Sequence, residues 1–310
     1  MTSRQKKINI IVALVFLAIL SAIIIIYYLK LQTKSTEDSK LIRDKDGKIV
    51  VIATSFPVYD FAKEVGGDKT SVNLLLPPGI EAHTFKPTGR ELSEIASSSV
   101  VFYTSPLLET WIDSLKETSN NKIRFIDSTD SLIEGNDPHV WLDLTKASLI
   151  VDNIKKAYQS LDPINYNYYE LQANNYKDKL QTLDQLYFSS LKNCKFKDLV
   201  QGGHQAFAYL ARRYDLNYLP SQGVVPSSEV DMDKTLAQIE RLKASKQGYI
   251  YYEELIMPSL AEVVRQQTGV KMVMLNAAHN VARFDIENGL NFIKIMENNL
   301  NALKLGLSCQ

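Results

Sequence analysis

The strongest constraint on how this 310-residue chain folds is a recurring apolar run of strand length with no polar alternation. Ile49-Val50-Val51-Ile52-Ala53 comes first, then residues 72–76, Val100-Val101-Phe102-Tyr103 and residues 123–126. After a long gap the rhythm resumes with Leu199-Val200, residues 249–252 and residues 272–275. A strand with one wet face alternates apolar and polar side chains. One that is apolar throughout is buried on both faces, as in a parallel sheet covered by helices. The runs lead into turn chemistry, such as Pro77-Pro78-Gly79, Ser105-Pro106 and Gly202-Gly203, and helical patterns follow, the rhythm of an α/β fold. Thr88-Gly89-Arg90-Glu91 has the spacing of a capping box that opens one such helix.

The middle of the chain differs. Residues 145–161 follow a helical pattern up to Asp162-Pro163, and from 164 to 192 no Gly or Pro interrupts an amphipathic run containing Tyr169, Leu171, Leu180, Leu183 and Leu186. At ~1.5 Å per residue this second helix exceeds ~40 Å, the length of a domain. The expected architecture is therefore α/β: two Rossmann-like βα domains, 49–145 and 193–310, joined through a helical segment, 146–192, that carries one long rigid helix.

Residues 1–30 and 31–48 stand apart. No charge interrupts residues 8–29, long enough as a helix to span a bilayer core, and Arg4, Lys6 and Lys7 precede it. That pattern predicts an N-terminal anchor with the remainder exported, and 31–48 as a polar linker. A cleaved signal peptide is the alternative, although no Ala-x-Ala-like site follows the run. No cysteine follows it closely either, so a lipid anchor is not expected.

Lys+Arg and Asp+Glu number 35 each, which leaves no basic excess for a general nucleic-acid binder. Histidine is scarce: His83, His139, His204 and His279 are all there are. Three follow shortly after a predicted strand and the fourth opens a loop. In open α/β sheets that edge is where ligands bind. Two come from each half, so an interdomain cleft would bring them together as a metal site. Four neutral imidazoles complete a zinc tetrahedron and leave no open position for catalysis. Free imidazoles would lose the metal as pH falls below ~6.5. Asp137 and Asp143 read either as supports for the histidines or as turn and cap residues, and Glu81 as a support for His83 or an exposed group. Trp141 reads as packing that shields the site near His139. Cys194 and Cys309 form either a disulfide or two free thiols. Neither His-Glu-x-x-His nor Gly-x-Ser-x-Gly occurs, so no hydrolase is expected.

Several segments together resemble the zinc- and manganese-binding solute-binding proteins of bacterial ABC importers: Thr54-Ser55-Phe56-Pro57-Val58-Tyr59, residues 78–88 around Glu81-Ala82-His83, Asp137-Pro138-His139-Val140-Trp141-Leu142-Asp143, and Gly203-His204-Gln205-Ala206-Phe207. The resemblance runs from about Ile49 to the C-terminus. It implies a monomeric extracytoplasmic receptor that hands its metal to an ABC permease, with His83, His139 and His204 as ligands. The family's fourth ligand is usually Asp or Glu; here the matching stretch offers His279, with Glu254 as the substitute. A nitrogen-rich set favours Zn2+ over Mn2+ or Fe2+. The resemblance also admits a surface adhesin on the same fold. The His-rich loop that many zinc-specific members carry ahead of the second ligand has no counterpart in residues 119–136.

Overall fold

The structure, a computed structural model, describes residues 16–17, 19–25, 41–119, 123–226, 231–254, 259–279 and 281–310. Residues 1–41 and 42–310 are separate units. In the first, residues 16–17 and 19–25 are helical. Much of the uncharged run 8–29 lies outside the described residues, as do residues 31–40 of the expected linker. Among the described residues no helix is long and apolar enough to cross a membrane.

The apolar runs of residues 42–310 become two four-stranded parallel sheets. The first contains β1 (Ile49–Ala53), β2 (Thr70–Leu74), β3 (Val100–Tyr103) and β4 (Arg124–Asp127), in the order β2-β1-β3-β4. The second contains β5 (Asp198–Gln201), β6 (Asn217–Pro220), β7 (Tyr249–Glu253) and β8 (Lys271–Leu275), in the order β6-β5-β7-β8. The central strands are the most buried: Val100, Val101 and Phe102 of β3 are inaccessible to solvent, as are Leu199 and Val200 of β5. β6 was not legible as an apolar run. It is an edge strand, half-exposed, that ends in Pro220, a residue tolerated only where a ladder partner is missing.

Helices α1 (Phe56–Gly66), α2 (Gly89–Ala96) and α3 (Ile112–Thr118) belong to the first lobe. α2 opens with the expected capping box, Thr88 and Glu91 each satisfying the other's backbone N–H. Residues 42–48 are not free chain. Ile42 donates its N–H to Ser99 Oγ at 2.6 Å, and Arg43 bridges to Ile49.

The lobes are joined by α4 (Leu144–Leu161) and α5 (Tyr166–Leu191). With 26 residues α5 is ~39 Å long. Tyr169, Ala173, Tyr176, Leu180, Leu183, Tyr187 and Leu191 form its buried stripe at helical spacing. Its tyrosines reach into both lobes. Tyr176 donates to Asp60 of α1 at 2.7 Å, and Tyr187 donates to the carbonyl of Met296 at 2.6 Å. The second lobe is completed by α6 (Ala208–Arg213), α7 (Met232–Ser245), α8 (Ser259–Thr268), α9 (Arg283–Glu287) and α10 (Phe292–Gly306). Asp60 also accepts the N–H of Phe292 at the start of α10, so one buried carboxylate joins both lobes and the long helix.

Cys194 and Cys309 are disulfide-bonded, which ties the C-terminus to the start of the second lobe across 115 residues of sequence. A loop of that length constrains the unfolded chain strongly, so Cys309→Ser is expected to cost about 2–5 kcal/mol. Chemical denaturation of wild type and variant, with and without reductant, measures this. Equal midpoints in all four samples would contradict it.

Candidate metal centre

The C-terminal edges of the two sheets face one cleft, and the loops that leave them carry the histidines. His83 follows β2 and His139 follows β4; His204 follows β5 and His279 follows β8. Each is aimed by local chemistry. Gly79 takes a left-handed φ of 83° in the turn after β2, and the His83 N–H is held by Glu81 Oε1 at 3.0 Å. Asp137 Oδ1 accepts the backbone N–H of His139 at 3.0 Å and lies 2.7 Å from its Nδ1, which leaves Nε2 free to ligate. Trp141 donates to the carbonyl of Ala277 at 2.8 Å, linking the His139 and His279 loops across the cleft.

His204 depends on close backbone approach. A Cβ on Gly202 would fall 2.5 Å from the backbone of Ala261 in α8, so only glycine lets β5 turn there. Glu253 Oε2 stands 2.8 Å from His204 Nδ1, at ion-pair distance though outside hydrogen-bond alignment. Its Oε1 accepts from Gln201 Nε2 at 2.5 Å, and Gln201 in turn accepts from Tyr218. His279 is placed by Asn276, whose Oδ1 accepts the Ala278 N–H at 2.7 Å while Ala278 holds a left-handed φ of 65°. Asn299 of α10 grips both backbone groups of Asn276 at 2.8 Å.

The result is a cluster of four ring nitrogens, each able to ligate a metal and all within 4.8 Å of one another. His139 Nε2 lies 3.2 Å from both His83 Nε2 and His204 Nε2. A tetrahedron built on bonds of ~2.0 Å has edges of ~3.3 Å, so these spacings fit a single small cation. His139, His204 and His279 are buried and His83 is partly so. Burial, helped by repulsion from His279 and His204, pushes the His83 imidazolium down to about 3. Burial and His204 do the same to His279, also to about 3. His139 is lowered well below the ordinary range by burial and by the other three rings. Both ring nitrogens of His279 lack any hydrogen-bond partner. Four neutral imidazoles that converge on one point, one of them with both nitrogens unpaired, fit a metal ion.

All four sequence-predicted histidines are thus brought together. Glu254 is not part of the cluster. It is the neighbouring Glu253 that supports the site, while Glu254 is raised to about 7 by burial and the charge of Asp285. Asp137 is a histidine support, whereas Asp143 caps α4 by accepting from Thr145 and Lys146. Gln201, Tyr218, Asn276 and Asn299 were missed, because amides and phenols carry no metal-ligand signature. Glu253 ends β7, beside the strand that leads to His204, at the point where strand order reverses, a position that points to the acidic pair though not to which member of it. Glu253→Gln is expected to lower zinc affinity about 10–100-fold with folding intact, as such supports do. Competition against a fluorescent chelator checks this, and an unchanged affinity would rule the support out.

The profile of the zinc-uptake complex component A family, a periplasmic component, matches residues 51–306. The chain belongs to this family. Among relatives within the component A group and beyond, it is similar to the zinc-binding lipoprotein AdcA of Streptococcus pneumoniae R6, 32% identical over 283 residues. That match covers 84% of this chain but 56% of AdcA, so the chain spans about half the length of this relative. It is also similar to the high-affinity zinc uptake system protein ZnuA of Bacillus subtilis, 32% identical over 297 residues, covering 88% of this chain and 90% of that one. Among solved structures, the Zn(II)-bound ZnuA-like domain of S. pneumoniae AdcA is similar at 34% identity and TM-score 0.74, covering 84% of this chain and 99% of that one. The laminin-binding protein of Streptococcus agalactiae, described as having adhesin and metal-transporting activity, is similar at 26% identity and TM-score 0.77, covering 84% and 99%.

Proposed function

We propose that this component A family member captures Zn2+ outside the cytoplasm and delivers it to the permease of an ABC importer. The observation that carries the reading is the closed set of four imidazoles, His83 and His139 from one lobe and His204 and His279 from the other, converging within 4.8 Å. A shell filled by four protein nitrogens holds a cation without offering it to a substrate, which suits carriage and not catalysis. Neutral nitrogen donors favour Zn2+, while Mn2+ prefers oxygen. Asp137 and Glu253 supply compensating negative charge from behind the rings, one in each lobe. The zinc-binding and zinc-uptake relatives support the cargo and the importer partner. The uncharged run 8–29 supports attachment to the outer face of the cytoplasmic membrane, with the receptor acting as a monomer.

Growth in chelator-depleted medium tests this. A deletion strain is expected to stop growing, to recover with added Zn2+ and not Mn2+, and to recover with the wild-type gene but not with His139→Ala. Rescue by Mn2+ alone would replace zinc as the cargo. Normal depleted growth with impaired surface attachment would favour the adhesin reading that the laminin-binding neighbour raises.

A further inference from the structure

Three carboxylates approach the histidine cage, and they are not equivalent. Asp137 and Glu253 stand behind His139 and His204 and are 7% and 4% exposed. The Glu81 side chain is 22% exposed and lies beside His83, the one histidine of the four that is only partly buried. Its Oε1 is fixed by the His83 N–H at 3.0 Å and stands 3.9 Å from Nε2 of His279. That ring is 2% exposed and both its nitrogens lack hydrogen-bond partners. An oxygen of a partly exposed carboxylate is therefore anchored to the backbone of one histidine and stands near the unpaired ring of another.

We infer that Glu81 is a fifth metal-ligating residue, which receives the hydrated cation at the rim of the cage and yields its place to His279 as the ion settles. This rests on the zinc-capture reading. The four imidazoles carry no charge, so the attraction felt by an incoming dication comes from the carboxylates around them, and of the three at the cage Glu81 is the one that solvent reaches most. Asp137 and Glu253 are buried and occupied with ring nitrogens. Glu81 exchanges one water of the ion's shell for a carboxylate oxygen, a ligand type zinc accepts. His83, His139 and Glu81 all belong to the first lobe, so that lobe alone presents two nitrogens and an oxygen before His204 and His279 complete the shell. Where His279 is missing, the same oxygen holds the fourth position.

The test combines Zn2+ binding kinetics with a spectroscopic probe on the full chain. Glu81→Gln is expected to slow Zn2+ association about tenfold at low salt, with the gap closing at high salt and the dissociation rate unchanged. His279→Ala is expected to keep one zinc per chain. Adding Glu81→Gln to it is expected to lower affinity by a further factor of about 100, against the about tenfold that slower association alone produces in the wild-type background at low salt, the non-additivity of groups sharing one ligand position. The Co2+ absorption spectrum should change between His279→Ala and the double variant, and stay the same between wild type and Glu81→Gln. Equal association rates for wild type and Glu81→Gln, or equal affinities for His279→Ala and the double variant, would overturn the inference. Those outcomes leave the capture reading standing if wild type still binds one zinc. A wild type that binds none sinks both.

Discussion

His139→Ala is expected to abolish stoichiometric Zn2+ binding while the protein stays folded. His139 is the hub of the cage, its Nε2 lying 3.2 Å from a ring nitrogen of His83 on one side and of His204 on the other. Removing it deletes a ligand and strands Asp137, whose Oδ1 loses the imidazole at 2.7 Å while its other oxygen is already unpartnered. The loss should exceed the roughly 10–100-fold cost of altering a mere supporting group. Folding is protected because the core lies in the two sheets and along α5. Asp137 Oδ1 also still accepts the backbone N–H of residue 139 at the turn. His139→Gln is the volume-matched companion, expected to fold alike and bind equally poorly. Isothermal titration of both variants measures this. One-to-one zinc at wild-type affinity in either would remove His139 from the site.

The second large effect concerns pH. Free imidazoles with pKa near 6.5 would weaken zinc binding by roughly 30-fold per histidine at pH 5. Burial holds His83 and His279 at about 3 and His139 well below its ordinary range, so protons compete poorly for these nitrogens at that pH. The structure thus moves the expected acid loss downward from the ~6.5 that isolated histidines imply. Zinc affinity is therefore expected to fall far less between pH 7 and 5 than the roughly 30-fold for each of four free histidines, as measured with a pH-independent chelator standard. A steep loss across that range would show that the rings titrate as exposed groups.

The same shifts have a consequence for stability, with a definite sign. Between pH ~6.5 and ~3 the unfolded chain binds protons on these histidines and the folded chain does not. Stability of the metal-free protein therefore falls with acid, by about 1.4 kcal/mol per pH unit for each such histidine. Asp60 and Asp137 oppose this in part: burial raises both to about 6, so the folded state takes up their protons first and regains stability as pH falls through that value. The slope should flatten in His83→Gln His279→Gln. Denaturant titrations of the two metal-free proteins at pH 7 and 5 would expose a contrary result as identical slopes.

How much of this was readable in the sequence varies by residue. β1 and β3 were legible to the residue, because unbroken apolar runs have one economical fate, burial between two helical layers. The extent of the long helix was equally plain, since no Gly or Pro interrupts it, but its buried face was not: Leu171 and Leu186 of the expected run are exposed, and Ala173, Tyr176 and Tyr187 take their place in the stripe from Tyr169 to Leu191. β6 was not, because an edge strand ending in Pro220 buries too little to leave a pattern. At the site, the four histidines stood out by scarcity and by their places after strands. The choice between Glu253 and Glu254 did not, because β alternation sends adjacent side chains to opposite faces and a shift of one residue reverses the answer. The turn that aims His279 was invisible, as Ala278 holds a left-handed conformation that alanine seldom adopts. It is held there by Asn276 and by Asn299, 23 residues away. Contacts that distant are set by packing and not by local composition.

X-ray absorption at the zinc edge of the metal-loaded full chain tests the four-imidazole shell most directly. Four nitrogen scatterers at ~2.0 Å, with outer-shell scattering that fits four imidazole rings, is the expected spectrum. A shell of five or six ligands dominated by oxygen, or one that fits two imidazoles or fewer, would contradict it.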